Sequence, residues 1–350
     1  MLIDTVWAPF DKEFVAKLKE EIDLNKIDYI IALHGEVDHS GALPELMREI
    51  PNTPIYCTAN AIKSIKGQYH QDWDFRPVKT GDRLSLGQRE LIFIEAAMLH
   101  WPDNMMAYLT GDSILFSNDA FGQHFASEKM FNDAVDQGDL YQEATKYYAN
   151  ILTPFSKLVD KKIKEILSLN LPVSMICPSH GIIWRDNPMQ IVEAYTKWAA
   201  DYQENQITII YDTMWNGTRR MAETIADGIR QQDEAVTVKL FNSARADKTE
   251  IIAEVFKSKA ILVGSPTVNR GVLSSIAGIM EEIKGLRFQN KKAAAFGAYG
   301  WSGESPKVIT EMLQSSGFAV LSDGLKELWS PDENALTNCV RFGREFAEKL

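Results

Sequence analysis

The sequence predicts an α/β protein with two domains, and three observations support this class. Domains commonly hold about 100–200 residues, so a chain of 350 residues predicts two of them. Short apolar runs alternate with amphipathic helical stretches along the chain. A new strand–helix series starts near Asn205 with the apolar run at residues 207–211. We therefore predict a first domain at residues 1–204 and a second at residues 205–350.

Composition and charge narrow the class of protein. The hydrophobic content of 45% and charged content of 24% are ordinary for a soluble globular protein. The formal net charge of −11 disfavours nucleic acid and an anionic membrane surface as partners. No apolar run reaches transmembrane length, and no signal peptide opens the sequence. Because Cys57, Cys177 and Cys339 lie far apart, we expect no disulfide framework and a cytoplasmic protein.

The first half alternates strand-like and helical patterns. Apolar residues at helical spacing, such as Phe14, Leu18 and Ile22, predict a helix at residues 11–22. Ser40 is the predicted N-cap of a helix at residues 41–50, and Gly111-Asp112 predicts a hairpin turn. Further helices are predicted within residues 141–169 and at 188–203. The predicted strands are residues 2–6, 29–33, 54–58, 91–95, 106–110, 114–117 and 171–179.

The densest cluster of ligand-type side chains follows the strand at residues 29–33. His34, Glu36, Asp38 and His39 place two imidazoles and two carboxylates within one short motif. Carboxylate oxygen with imidazole nitrogen suits iron, manganese or zinc, and the lack of thiolate argues against a structural zinc or iron–sulfur site. The alternative for this motif alone is a charged turn with two solvated histidines.

Three more such side chains come shortly after strand-like runs. His100 follows the run at residues 91–95, Asp119 follows residues 114–117, and His180 follows residues 171–179. The carboxyl ends of strands are where ligand groups converge in α/β sheets. Four histidines and three carboxylates suit two metal ions, with a carboxylate such as Asp119 bridging them. The predicted metal ligands are His34, Glu36, Asp38, His39, His100, Asp119 and His180.

The second half repeats strand and helix, which predicts a parallel sheet covered on both faces. The loop at residues 213–218 joins a strand to a helix predicted at 219–231, where N–H groups and threonine hydroxyls can bind a phosphate. Neither a P-loop nor G-x-G-x-x-G occurs, so FMN is favoured over ATP or NAD. The predicted strands are residues 207–211, 236–241, 260–264, 293–297 and 318–321.

Two later strand-end loops, at residues 265–271 and 297–303, are suited to binding a flat ring. Small residues in them let the backbone approach a ring, and Tyr299 or Trp301 could lie against it. The alternative is that all three loops are ordinary turns between strand and helix. The predicted cofactor-binding residues are Thr213, Met214, Trp215, Asn216, Gly217, Thr218, Ser265, Pro266, Thr267, Asn269, Gly271, Ala298, Tyr299, Gly300, Trp301 and Gly303.

Together these motifs resemble the flavodiiron proteins, or A-type flavoproteins, most closely the two-domain core of the flavorubredoxins. The resemblance covers essentially the whole chain and rests on residues 34–39, 99–103, 116–124 and 179–181. It implies a metallo-β-lactamase-like αββα sandwich followed by a flavodoxin-like doubly wound parallel sheet. Zinc-hydrolase relatives carry histidine where this chain has Glu36, and the added hard oxygen ligand favours iron.

The resemblance also implies a ligand set. One iron is expected on His34, Glu36 and His100, the other on Asp38 and His180, with Asp119 bridging. His39 matches a position that binds metal in some members and swings away in others. His124 matches the pattern as a neighbour of the site rather than a ligand.

The implied activity is reduction of nitric oxide to N₂O, of O₂ to water, or of both, at a diiron site fed through FMN. The implied partners are a rubredoxin or rubredoxin-like electron donor and a second copy in a head-to-tail homodimer, or a dimer of dimers. In that dimer each FMN faces the partner's irons. The alternatives are a zinc hydrolase with a fused flavin domain, and an electron carrier with a non-functional metal domain.

Two departures from the family pattern carry expectations. Members usually begin with additional residues that form opening strands of the sandwich, so those strands are apparently missing and an unpaired sheet edge is expected. The flavorubredoxins carry a rubredoxin module that has no counterpart here. The donor is then expected on a separate polypeptide, or on a module lost from this chain.

Overall fold

The computed structural model describes all 350 residues, which form two compact units. Met1–Tyr147 and Phe155–Thr196 form the first unit, and Tyr148–Pro154 and Lys197–Leu350 form the second. The predicted boundary between residues 204 and 205 stays a prediction. No helix in the chain combines the length and the apolar character needed to cross a membrane.

The first half of the chain contains nine strands and seven α-helices. The strands are β1 (Leu2–Ile3), β2 (Ile30–Ile31), β3 (Ile55–Cys57), β4 (Phe75–Pro77), β5 (Arg83–Ser85), β6 (Glu90–Glu95), β7 (Met105–Leu109), β8 (Ile114–Asn118) and β9 (Met175–Pro178). The helices are α1 (Asp11–Glu21), α2 (Val37–Ser40), α3 (Leu43–Glu49), α4 (Ala59–Tyr69), α5 (Gln137–Tyr147), α6 (Ser156–Ser168) and α7 (Met189–Trp198).

These strands form two sheets that pack face to face. Strands β1 to β4 lie in sequence order and are all parallel, with β1 at one edge. Strands β5 to β9 form the second sheet, antiparallel except for the parallel pair β8–β9. Ile31 and Leu33 pack with Phe93 of the second sheet in one apolar cluster between the sheets.

Helices cover both outer faces. Ile30, on the opposite face of β2 from Ile31, packs with Leu46 of α3 and Ile65 of α4. On the other side, Ile163 of α6 and Val192 of α7 border one apolar cavity together with Leu115 of β8. The predicted αββα sandwich is therefore confirmed.

Several local predictions for this half differ from the structure. Ser40 is not an N-cap, because it lies in the one-turn helix α2, and α3 begins at Leu43 with Ala42 before it. The Ser40 hydroxyl donates to the carbonyls of Gly35 (3.0 Å) and Glu36 (2.9 Å), which closes a turn where a loop was expected. Strands β4 and β5 were not predicted, because they are short and largely exposed. The hairpin turn at Gly111-Asp112 is confirmed by the antiparallel pair β7–β8.

The second half is a parallel sheet between two helical layers. Its strands are β10 (Glu204–Tyr211), β11 (Thr237–Asn242), β12 (Ser258–Gly264), β13 (Lys292–Tyr299), β14 (Ala319–Val320) and β15 (Leu325–Leu328). Its helices are α8 (Gly217–Gln232), α9 (Lys248–Lys257), α10 (Ser274–Leu286), α11 (Ser305–Ser315) and α12 (Glu333–Glu348). The strand order is β11-β10-β12-β13-β14, β15 also pairs with β13, and every pair is parallel.

This order confirms the predicted doubly wound sheet and indicates where a ligand binds. The direction of winding reverses between β10 and β12, and ligands bind outside the carboxyl ends of strands at such a switch point. Strand β15 was not predicted, because Lys326 and Glu327 interrupt its apolar pattern. It pairs with the carboxyl-terminal half of β13, with Leu325 opposite Phe296.

Candidate metal centre and flavin site

Ligand-type side chains from four parts of the sandwich meet at one of its ends. His34 lies shortly after β2, and Asp119 directly follows β8. His180 lies shortly after β9, and His100 lies in the loop between β6 and β7. The sequence separations are large, but the two packed sheets bring these strand ends together.

One group of ligand atoms forms around one oxygen of Asp119. Oδ2 of Asp119 lies 3.8 Å from Nε2 of His34 and 3.6 Å from Nε2 of His100. Oε2 of Glu36 lies 3.2 Å and 3.5 Å from the same two nitrogens. Metal–ligand bonds are about 2.0–2.2 Å long, so one cation between these atoms could contact all four.

A second group forms around the other oxygen of Asp119. Oδ1 of Asp119 lies 2.9 Å from Nε2 of His39 and 3.3 Å from Nε2 of His180. Oδ2 of Asp38 lies 3.6 Å and 3.3 Å from those nitrogens. Asp119 thus directs one oxygen to each group, which is the geometry of a bridging carboxylate.

Burial and unmet bonding capacity make these groups suitable for metal. Asp119 is only 1% exposed, and its charge lies beside two further carboxylates. Oδ1 of Asp38 is buried and has no hydrogen-bond partner. Buried charges are normally paired or coordinate a metal, so the donor set fits two cations with oxygen and nitrogen ligands.

The electrostatics of the metal-free cluster favour charged side chains. Burial would raise the pKa of Asp119, but hydrogen bonds from His180 and His39 hold it well below its usual range. Burial likewise opposes charge on His39, yet Asp119 and Asp4 raise the pKa of His39 to about 11. Asp103 and Glu36 raise that of His34 to about 9, also against burial. Cations that bind here must displace these protons.

Residues behind the ligands were not predicted as functional. Asp103 places Oδ1 2.9 Å from Nδ1 of His34 and accepts the Gly35 N–H through Oδ2 (3.1 Å). Asn104 donates to Oδ2 of Asp119 (3.1 Å). A carboxylate behind a ligating histidine is common in metal sites, but the partners are distant in sequence. His124 lies outside both groups, with its ring 5.6 Å from that of His180.

A separate cavity of about 350 Å³ opens at the carboxyl ends of the strands in the second half. This size is within the usual range for small-molecule sites, about 300–1,000 Å³. The lining residues are Thr213, Met214, Trp215, Gly217, Thr218, Pro266, Thr267, Ala298, Tyr299, Gly300, Trp301, Trp329 and Ser330. All of them except Trp329 and Ser330 were predicted.

One end of the cavity is suited to a phosphate. Helix α8 begins at Gly217 after Asn216, whose backbone is left-handed (φ 64°) and whose side chain caps nothing. The N–H groups of the first turn are therefore left for a ligand. The hydroxyl of Thr213 is buried without a hydrogen-bond partner. A phosphate monoester such as that of FMN fits both features.

The other predicted residues shape the loops around the cavity. Asn269 borders an adjoining cavity together with Thr267, Gly300 and Trp301. Asn216, Ser265, Gly271 and Gly303 do not line the main cavity. The Ser265 hydroxyl accepts the Leu273 N–H (3.0 Å), and Gly303 turns the chain beside Tyr299 with a φ of +75°. Trp329 and Ser330 were missed because they follow the unpredicted strand β15.

Comparisons with known proteins agree with both halves of this description. The family model described as "ODP family beta lactamase" matches residues 1–181, and the flavodoxin model matches residues 209–343. The chain is 58% identical over 351 residues to the anaerobic nitric oxide reductase flavorubredoxin of Escherichia coli, covering 100% of this chain and 73% of that protein. The chain belongs to the flavodiiron protein family.

Solved structures of flavodiiron-type proteins support the same assignment. The rubredoxin oxygen:oxidoreductase of the anaerobe Desulfovibrio gigas matches with a TM-score of 0.95 at 36% identity, over 99% of this chain and 87% of that one. The flavodiiron protein of Giardia intestinalis matches with a TM-score of 0.92 at 29% identity, over 99% and 85%. This flavodiiron protein is therefore an oxidoreductase with a diiron site and FMN as cofactors, and homology supports NO or O₂ reduction.

Proposed function

We propose that this flavodiiron protein reduces nitric oxide, converting two NO, two electrons and two protons into N₂O and water. The observation that carries the proposal is the 58% identity, along the whole chain, to an Escherichia coli protein named as an anaerobic nitric oxide reductase. Reduction of O₂ to water is a second candidate, favoured by the match to a rubredoxin oxygen:oxidoreductase at 36% identity.

We assign the first iron to His34, Glu36 and His100, and the second to Asp38, His39 and His180, with Asp119 between them. The two groups of ligand atoms around Asp119 support this assignment. When bound, two adjacent irons supply electrons and coordination sites for two diatomic molecules. The oxygen of Glu36, at the position where zinc hydrolases have histidine, adds a hard ligand that favours iron over zinc.

We assign FMN to the cavity at the end of the second sheet. Thr213, Thr218 and the start of α8 hold the phosphate, and Tyr299, Trp301 and Trp329 enclose the ring. FMN held by these residues would supply the electron-transfer chemistry between the donor and a metal site. A rubredoxin or rubredoxin-like protein is the proposed donor, supported by the names of both relatives.

The proposed assembly is a head-to-tail homodimer, or a dimer of such dimers, in which each FMN serves the partner's irons. A mixture of an Asp119→Ala chain with a Thr213→Val/Thr218→Val chain tests this arrangement. Recovery of activity in the mixture supports crossing between subunits, and no recovery contradicts it. We also propose a cytoplasmic location, since Cys57, Cys177 and Cys339 are free thiols.

The first test is gas consumption by chemically reduced protein, with NO and O₂ electrodes used in parallel and N₂O measured by gas chromatography. Faster NO removal with N₂O formation supports the proposal, and O₂ consumption alone selects the second candidate. If protein that contains iron and FMN consumes neither gas, both candidate functions are wrong. Metal analysis addresses the remaining alternatives: zinc in place of iron indicates a hydrolase, and FMN without metal indicates an electron carrier.

A further inference from the structure

A segment near the start of the chain contacts His39 at both its ring and its backbone. Oδ2 of Asp4 lies 3.4 Å from Nδ1 of His39. The next residue, Thr5, donates both its backbone N–H and its hydroxyl to the His39 carbonyl, each at 2.7 Å. These contacts hold His39 from the side opposite to the metal groups.

The Asp4 carboxylate is itself fixed in place. Asp4 is 9% exposed, and its Oδ1 accepts the N–H of Leu33 at 2.7 Å. Its Oδ2 receives the hydroxyl of Ser179 at 3.4 Å, directly before His180 in the sequence. Its backbone N–H donates to the Ile31 carbonyl at 2.9 Å. Because both oxygens and the backbone are engaged, the carboxylate presents a constant acceptor to the His39 ring.

The segment also approaches α2 closely, and Gly41 permits this. A Cβ at position 41 would lie 2.4 Å from the Ala8 nitrogen and 2.9 Å from the Val6 carbonyl oxygen. A side chain at this position would push the segment away from α2 and draw Asp4 away from His39. The approach of Asp4 to the His39 ring thus depends on close packing of the segment as well as on the polar contacts of Asp4 and Thr5.

The chemistry of Asp4 decides which ring nitrogen of His39 can coordinate a metal. Nδ1 has two polar neighbours, Oδ2 of Asp4 and Nδ2 of Asn118, each at 3.4 Å. An ionised carboxylate only accepts, and hydrogen bonds to charged groups are the stronger ones, so Nδ1 carries the hydrogen. Without metal, Nε2 also carries a proton and donates it to Oδ1 of Asp119 at 2.9 Å. A cation bound between these atoms displaces that proton, and the Nε2 lone pair is then the one available to the metal.

We propose that Asp4 is a positioning residue that makes His39 a metal ligand, by holding Nδ1 as a donor and directing Nε2 into the second metal group. This inference rests on the ligand set proposed above. The first group contains a matched arrangement, because Oδ1 of Asp103 lies 2.9 Å from Nδ1 of His34. The chain therefore carries one histidine–carboxylate pair in each group, and the two pairs can be compared by experiment.

The test compares Asp4→Asn with Asp103→Asn in the full chain with FMN. Asparagine keeps the shape and one oxygen for the backbone N–H, but it turns an amide donor toward Nδ1. Iron per chain is measured after equilibration with a graded chelator, and Mössbauer spectra of ⁵⁷Fe-loaded protein identify which iron changes. Loss of a carboxylate behind a ligating histidine costs about 10–100-fold in metal affinity.

We expect Asp4→Asn to weaken one iron by this factor, with the spectrum of His39→Ala, and Asp103→Asn to weaken the other. In the His39→Ala background, Asp4→Asn should have no further effect. Asp4→Glu, which keeps a carboxylate, should retain more iron than Asp4→Asn. The inference is wrong if Asp4→Asn keeps the wild-type spectrum and iron affinity. It is also wrong if Asp4→Asn and His39→Ala lower iron affinity additively, or if Asp4→Glu loses as much iron as Asp4→Asn. Absence of iron from the wild-type protein would instead contradict the proposed function.

Discussion

The bridging role of Asp119 gives the sharpest test of the metal centre. In Asp119→Asn the side chain keeps its shape and one oxygen but loses its charge. Since its two oxygens face different groups, at 3.6 Å from Nε2 of His100 and 3.3 Å from Nε2 of His180, both irons lose a charged ligand. Glu36→Ala and Asp38→Ala each remove a carboxylate from one group only.

The expected magnitude follows from Coulomb attraction. A carboxylate and a unit charge about 4 Å apart attract each other by about 4 kcal/mol at an effective dielectric constant of about 20. At about 1.4 kcal/mol for each tenfold change, this is a loss of nearly a thousandfold in affinity per iron. Direct coordination is shorter than 4 Å and iron is at least doubly charged, so the value is a lower bound.

Iron and FMN per chain are measured together after dialysis against a chelator. FMN is the internal control, because its cavity lies in the second unit and should remain loaded in all three variants. We expect Asp119→Asn to lose both irons and each alanine variant to lose one. If Asp119→Asn keeps both irons, or if Glu36→Ala alone empties both groups, the bridging interpretation is wrong.

Three further predictions concern binding and stability. Thr213→Val should raise the Kd for FMN about 10–100-fold, because a hydrogen bond to a charged group contributes about 1.5–3 kcal/mol. A flavin fluorescence titration measures this Kd, and an unchanged value would contradict the phosphate assignment. Metal-free protein should lose thermal stability, followed by circular dichroism, as pH rises from about 6.5 to about 9, because carboxylate partners raise the pKa of His34 and of His180 from 6.5 to about 9 against burial. A flat profile over this range would refute the prediction. Gly41→Ala should destabilise the first unit by about 1–3 kcal/mol in urea, whereas Gly67→Ala, where a Cβ meets nothing within 4 Å, should not.

Local pattern was enough to predict most of the strands and helices and the segments whose side chains meet in the two groups around Asp119. The run around Ile30 and Ile31 is apolar on both faces because one residue packs on helices and the other on the second sheet. The loop before α8 was recognisable because phosphate binding needs only a strand end, small residues and a helix start. These signals lie within a few neighbouring residues.

Features set by long-range contacts were not predictable in this way. The Asp4–His39 contact joins distant parts of the chain, and a single aspartate near a short strand carries no local signal. Which oxygen of Asp119 faces which group depends on the packing of two sheets. Trp329 was missed because the neighbouring strand β15 owes its pairing to β13 rather than to its own composition.

The tryptophans at the rim of the flavin cavity should report FMN binding through their intrinsic fluorescence. Trp215 and Trp301 border that cavity and are 86% and 88% exposed. Flavins absorb in the range where indoles emit, so bound FMN should quench the emission of both residues by energy transfer. Cofactor loading could then be followed in real time, in dilute samples and without a label. Replacing either tryptophan by phenylalanine would show which indole carries the signal.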